Sequence, residues 1–384
     1  MLKKAVLLTC FFALLPFVAA YGGDGKPSWG RRLLNYIDTL SVRGIDRNYI
    51  GLPEKPWQVV VRGSVNQANF DMNSTINGDD IFGLFDGEVS CDYSIRSGLD
   101  SYVGVWGAYR GYGISYSHSL NSNSDGSLLK LGVTGGCYGL NYRHHHFVTD
   151  ECEVRDRGSV MGYPIDTTSV ERLISPIHFR SLIVDGYYLF NGKRFSYSAA
   201  YDQSAYQLRS AGSFMVGAMY YYSHIDYTDQ ENMDIIFMMD DVGEMRQWQV
   251  SVGAGYAYNY VPAKGVLISG MLMPMLTGYN RLKSYRYNSL LKQLFLKNPT
   301  MDLEALMESD EDIEMMWPDE NRYKTTETSH LTLNFNARLS LTYNLGERAY
   351  LNTYGQVYNF RFSHDQNHGA LTEWFVNAAL GFRF

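Results

Sequence analysis

The amino-acid sequence predicts an all-β fold, a transmembrane antiparallel β-barrel of about twelve strands, with about ten to fourteen compatible with the same pattern. Three observations carry that prediction. The stretch Leu371 to Phe384, LTEWFVNAALGFRF, alternates with a period of two. Phe384, Phe382, Leu380, Ala378, Val376, Trp374 and Thr372 fall on one side, and Arg383, Gly381, Ala379, Asn377, Phe375 and Glu373 on the other. A strand apolar on one face and polar on the other suits a closed sheet with lipid outside and water inside, because closure satisfies every backbone amide. Second, the chain is rich in Tyr (31) and Gly (36), poor in Pro (10) and 15% aromatic, which fits aromatic girdles and tight turns. Third, a mean hydropathy of -0.24 excludes a helical membrane protein. Past the N-terminus no apolar run approaches the roughly 18 residues that a spanning helix needs. The net charge of -7 argues against nucleic acid as a partner.

Taken in order, residues 1–20 read as a secretory signal: Lys3 and Lys4, an apolar run from Ala5, and Val18-Ala19-Ala20 as the small-residue cleavage site. Residues 21–56 form a periplasmic lead. In it Trp29, Leu33, Tyr36, Ile37 and Leu40 recur at helical spacing behind Ser28 as a cap, and Pro53 and Pro56 end the segment. The barrel is expected over 57–384. Its first strand runs from Trp57 to Phe70, with Trp57, Val59, Val61 and Val65 opposed by Gln58, Arg62, Ser64 and Asn66. Further strands are expected over 84–95, 100–119, 127–146, 178–190, 194–201, 211–226, 246–260, 264–278, 330–344, 347–362 and 371–384. The clearest interior one sets Leu331, Leu333, Phe335, Ala337, Leu339, Leu341 and Tyr343 outward against Thr332, Asn334, Asn336, Arg338, Ser340 and Thr342.

With the C-terminus in the periplasm, 345–346, 261–263 and 96–99 become short inner turns, and 363–370, 279–329, 227–245 and 71–83 become outer loops. Two connections break this parity. Residues 147–177 fall on the inner side yet are long, and Asn191-Gly192 reads as a two-residue hairpin on the outer side. Either the long strands near 100–146 divide differently, or 147–177 folds into the lumen. The 279–329 loop carries two short helical stretches, Asn288 to Leu296 and Met301 to Met307, broken by Pro299. A lid or a constriction over the barrel mouth is the natural role of such a loop.

The stretches FNGKRFSYSAAYDQ (190–203), RSAGSF (209–214) and GAGYAYNYV (253–261), with NYIGLPEKPWQVVVRG (48–63), resemble a family of Bacteroidetes cell-envelope proteins known only as a numbered domain of unknown function, of the 4421 type. The resemblance implies secretion and a barrel, and it brings no activity or site residue with it.

Among chemistry-bearing residues, His144 and His146 share a strand face about 7 Å apart while His145 points away, so at most two of the three could meet one metal ion. The acidic run Glu308, Asp310, Glu311, Asp312 and Glu314 lacks EF-hand spacing and reads as a solvated loop. His118 beside Ser117 and Ser119, and His224 beside Ser223, point opposite ways on a strand, so no enzymatic activity and no cofactor are expected. Cys91, Cys137 and Cys152 give no expected disulfide.

Alternation places Arg62, Arg338 and Arg383 in the lumen, opposed by Glu373. Mixed lumen charges either set the selectivity of a pore or lock a filled barrel. The expected function is a monomeric outer-membrane pore or binding barrel for a small polar solute. The alternatives are a structural or surface-interaction barrel with a filled lumen, and a lipid-modifying enzyme. Outer-membrane lipids and lipopolysaccharide are the expected surroundings, and the terminal Phe384 is the expected mark for the barrel-assembly machinery.

Overall fold

The computed structural model describes residues 29–77, 88–121, 126–160, 163–226, 242–287, 322–328, 331–364 and 367–384. The signal segment, the cap Ser28, the acidic run and the two helical stretches expected between 288 and 307 lie outside the described residues. A helix, α1 (Trp29–Val42), precedes a short strand β1 (Ile50–Gly51). The wall then runs β2 (Trp57–Asn77), β3 (Glu88–Ser97), β4 (Asp100–Tyr109), β5 (Tyr112–Ser119), β6 (Ser127–Thr134), β7 (Tyr138–Val160) and β8 (Tyr163–Leu189). After a helical turn α2 (Tyr197–Tyr201) and a short strand β9 (Tyr206–Gln207) come β10 (Ala211–Asp226), β11 (Val242–Ala263) and β12 (Val266–Tyr287). The wall ends with β13 (Arg322–Thr328), β14 (Thr332–Leu345), β15 (Ala349–His364) and β16 (Asn367–Arg383).

The ring closes where β16 meets β2, in register from Asn367 opposite Ser74 to Arg383 opposite Gln58. Every neighbouring pair is antiparallel, and the result is a closed barrel of twelve staves. Two staves are built from two segments each. β3 and β4 pair successive parts of β2, and β14 and β13 successive parts of β12.

Several strands run longer than expected, β2 to Asn77, β7 to Val160, β8 from Tyr163 and β12 to Tyr287, and β13 lies inside the expected 279–329 loop; the strand division itself changes in four places. The segment 100–119 is two strands folded back at Arg110-Gly111, where both residues have positive φ (52° and 90°), the backbone of a two-residue hairpin whose twist matches its strands. The segment 127–146 divides into β6 and β7. The expected inner turn at 96–99 is instead a break within one stave, because β3 and β4 run on along the same partner. The expected strand 194–201 is α2: the Ser196 side chain accepts the Ala199 N–H at 3.1 Å and caps a helical turn in place of the ladder. One strand lost, one merged and two divided leave the count unchanged. They also resolve the parity conflict. Residues 147–177 belong to the long β7–β8 hairpin, at the barrel end opposite the C-terminus, while the Asn191-Gly192 connection lies at the C-terminal end.

Side chains alternate as the lipid and lumen environments demand. On β14 the outward Leu333, Leu339 and Leu341 are 55%, 64% and 48% exposed, while Asn334, Asn336, Arg338, Ser340 and Thr342 are buried inside. The exterior is an apolar band of Val, Leu and Ile. Phe382, Tyr343, Tyr260 and Phe214 border it at the C-terminal end, and Tyr220 and Tyr279 at the other. From Phe382 to Trp374 the strand advances about 27 Å, or roughly 20 Å along the axis after strand tilt, close to the height of an outer-membrane hydrocarbon layer.

Candidate functional site

Part of the lumen is packed with rings and methionines. Tyr221 stacks on Phe360 with centroids 3.6 Å apart, and Tyr354 meets Phe375 edge-on at 5.5 Å. Met215, Met219, Met271, Met273 and Met275 fill the adjoining wall in one buried cluster with them. Among these rings lies a layer of charge. Arg338 Nη2 donates to Asp185 Oδ2 at 2.9 Å, and Asn141 Nδ2 donates to the same carboxylate oxygen at 2.8 Å. Glu373 Oε2 accepts from Ser181 Oγ and Oε1 from Tyr221 Oη, both at 3.3 Å. A second network runs along the wall: Asp100 accepts from Ser119 Oγ at 2.8 Å and from Tyr102 Oη, and Tyr102 Oη lies 3.1 Å from His145 Nε2.

At the C-terminal end the connection from β8 to β10 turns back into the barrel. Phe195, Tyr197, Ala199 and Ala200 are almost wholly buried there, with Tyr197 4.1 Å from Tyr187 between ring centroids. Four wall strands hold this plug. Gln58 Nε2 donates to Asp202 O at 2.7 Å, Ser340 Oγ to Ala200 O at 2.8 Å, and Asn259 Nδ2 to Ser196 O at 2.8 Å. Arg383 donates through Nη2 to Gln203 O at 2.9 Å and through Nη1 to Tyr206 Oη at 3.1 Å. At the plug's last residues β1 pairs with β9, and Asp46 N–H donates to Lys193 O at 2.8 Å, so the N-terminal lead covers the same end. Helix α1 is tied on by Asp38, whose carboxylate accepts from Tyr109 Oη at 2.7 Å and Arg110 Nε at 3.1 Å.

Of the residues selected from sequence, Arg62, Arg338, Arg383 and Glu373 all stand on the inward face. They serve different neighbours: Arg338 the Asp185 pair, Arg383 the plug, Glu373 its two hydroxyl partners, and Arg62 the Trp106 ring at 5.3 Å. His144 and His146 stand on the face opposite the buried His145, with His146 stacked on His178 at 5.8 Å. The described residues contain no group of three or more His, Cys, Asp or Glu placed to hold one ion. Ser117 and Ser119 are buried inside while His118 is exposed outside. His224 Nε2 instead lies 2.9 Å from Glu244 Oε1. Cys91 lies opposite Gly158 and Cys152 opposite Ser97 on the β3–β7 ladder. Sequence reasoning misses Asp185, Lys130, Arg143 and the plug itself. Asp185 does alternate inward within 178–190, and Ser196 three residues before Ala199 is a cap signal.

The family described as a domain of unknown function (DUF4421) matches residues 46–384. Among curated proteins, none matches this sequence. The fold is similar to that of the outer membrane protease OmpT from Escherichia coli, with 7% identity, 86% of this chain and 97% of that chain covered, and a TM-score of 0.37. The outer membrane protein OprG from Pseudomonas aeruginosa is similar at 8% identity, with coverages of 87% and 98% and a TM-score of 0.28. A Pseudomonas aeruginosa FadL homologue is similar at 7% identity, with coverages of 86% and 91% and a TM-score of 0.22. At these values the likenesses carry nothing about role. Closure within one chain and the apolar exterior make this chain an outer-membrane β-barrel.

Proposed function

We propose that this chain, which belongs to the domain-of-unknown-function family DUF4421, is a closed barrel that holds a small polar solute in its lumen and does not conduct as an open pore. The observation that supports the reading is the plug. Residues 195–207 occupy the C-terminal end of the lumen, and Gln58, Asn259, Ser340 and Arg383, on four different wall strands, bond to it. Rings and methionines pack the space beyond. A water-filled channel would leave such groups hydrated and exposed.

The reading is non-enzymatic, in keeping with Ser–His neighbours that face opposite sides of the wall. It makes the C-terminal end periplasmic, with Phe384 offered to the assembly machinery. Phe384 is 58% exposed, and its backbone pairs with Trp57 in both directions at 3.0 and 3.3 Å.

Single-channel recording of the refolded full chain in a planar bilayer tests this. A heat-modifiable barrel that stays silent is the expected result, and steady conductance from the wild type would defeat it.

A further inference from the structure

We infer that the lumen wall between β2 and β7 binds a small oxyanion, held by Arg62, Lys130 and Arg143 with the hydroxyls of Ser115 and Ser117. The inference rests on the closed lumen proposed above, because in an open channel water would satisfy these groups.

The register sets them along two neighbouring rungs that cross β2, β4, β5, β6 and β7. Trp106 lies opposite Ser115, Ser115 opposite Lys130, and Lys130 opposite Arg143, all along one rung. On the neighbouring inward rung, Arg62 lies opposite Gly104 and Gly104 opposite Ser117. Lys130 and Arg143 therefore stand as a directly opposed, like-charged pair, an arrangement that repels unless something negative sits between or beside the two. Lys130 is within electrostatic range of Arg62 as well.

The lumen's own acids lie near these cations without bonding to them: Glu373 is within electrostatic range of Arg143, and Asp185 and Asp202 of Lys130. Asp185 takes Arg338 at 2.9 Å, and Glu373 takes Ser181 and Tyr221. None of Arg62, Lys130 and Arg143 forms an ion pair within 4 Å among the described residues. What they have instead are ring faces: Trp106 for Arg62 at 5.3 Å, Tyr354 for Lys130 at 5.3 Å and Phe375 for Arg143 at 4.2 Å. A ring face supports a cation but accepts none of its in-plane N–H donors in a hydrogen bond.

The unsatisfied atoms point the same way. Arg62 Nε, Arg143 Nε and Nη1, Ser115 Oγ and Ser117 Oγ are all buried without a hydrogen-bond partner. Buried donors in a folded protein are nearly always paired, so unpaired ones on cations that no carboxylate bonds mark a missing acceptor. Guanidinium edges and hydroxyls together call for several oxygens on one centre, as in phosphate or a carboxylate. A metal ion has the wrong sign, and a neutral solute would leave the directly opposed Lys130 and Arg143 without a shared negative partner.

The test refolds the full chain in inorganic phosphate, removes excess by gel filtration and measures phosphate released on heat denaturation. About one phosphate per chain is expected from the wild type, with at least a tenfold loss in Lys130→Met. That variant also relieves the repulsion with Arg143 and so should still give a heat-modifiable barrel. Should it fail to refold, Ser115→Ala/Ser117→Ala serves in its place, with a loss of at least threefold expected. No retained phosphate, or equal retention by the variants, overturns the site. A silent bilayer alongside that result leaves the closed lumen standing, whereas a conducting wild type removes the closed lumen and this inference with it.

Discussion

Arg338 and Asp185 meet across the lumen, Nη2 to Oδ2 at 2.9 Å, with 4% and 3% of their side chains exposed. The pair ties β14 to β8, strands on separate arcs of the ring. Two ions so buried repay their lost hydration only together. Asp185→Asn strands the guanidinium and should cost about 3–5 kcal/mol, seen as a lower temperature for the heat-modified gel shift. Arg338→Met/Asp185→Leu removes both charges and should recover most of that loss. A single variant as stable as wild type would show that the pair is not coupled.

Arg383 is the plug's tether to the last strand. Arg383→Ala deletes its donors to Gln203 O and Tyr206 Oη, and the loss at the buried Gln203 costs about 1–3 kcal/mol. The expected outcome is a barrel that still folds but shows flickering conductance where the wild type is silent. A variant as silent as wild type would mean that the lumen packing alone closes the barrel.

Leu339 is 64% exposed in the middle of the apolar band. Leu339→Arg should destabilise the protein by about 2–4 kcal/mol in lipid, because a cation at mid-depth must be dragged toward the interface. Denaturant titration from liposomes reads the loss. No change would place this face in water.

Helix α1 rests on Asp38, whose partner Arg110 has 17% of its side chain exposed while Asp38 has 41%. Such a half-exposed pair contributes at most about 1 kcal/mol. Asp38→Ala should therefore leave the gel shift of the barrel unchanged while making residues 29–42 more susceptible to limited proteolysis. A destabilised barrel would instead make α1 part of the fold's core.

The barrel was legible in the sequence wherever a strand separates lipid from lumen, because a period of two then maps directly onto two environments. β14 and β16 show this, with Leu339 out and Arg338 in, Val376 out and Glu373 in. Legibility failed where the chain turns without a marked turn residue pair. Arg110-Gly111 folds two strands back on each other inside a run that keeps alternating, and β3 and β4 share a stave despite Gly98 between them. The segment 194–201 looked like a strand because its apolar residues suit either state. The Ser196 cap and burial inside the end of the barrel made it a helical turn.

The four stretches that carried the family resemblance lie in or beside the plug, on the N-terminal lead, the re-entrant segment and β10–β11. Residue alternation by itself determined the barrel, its lipid-facing side and the inward position of Arg62, Arg338, Arg383 and Glu373, since each of these is a local property of one strand. Which inward charges meet was decided by the tertiary structure. Arg338 reaches Asp185, and Lys130 faces Arg143, only once closure and register have set the strands around a common lumen, and contacts between distant strands have no period in the sequence from which to read them.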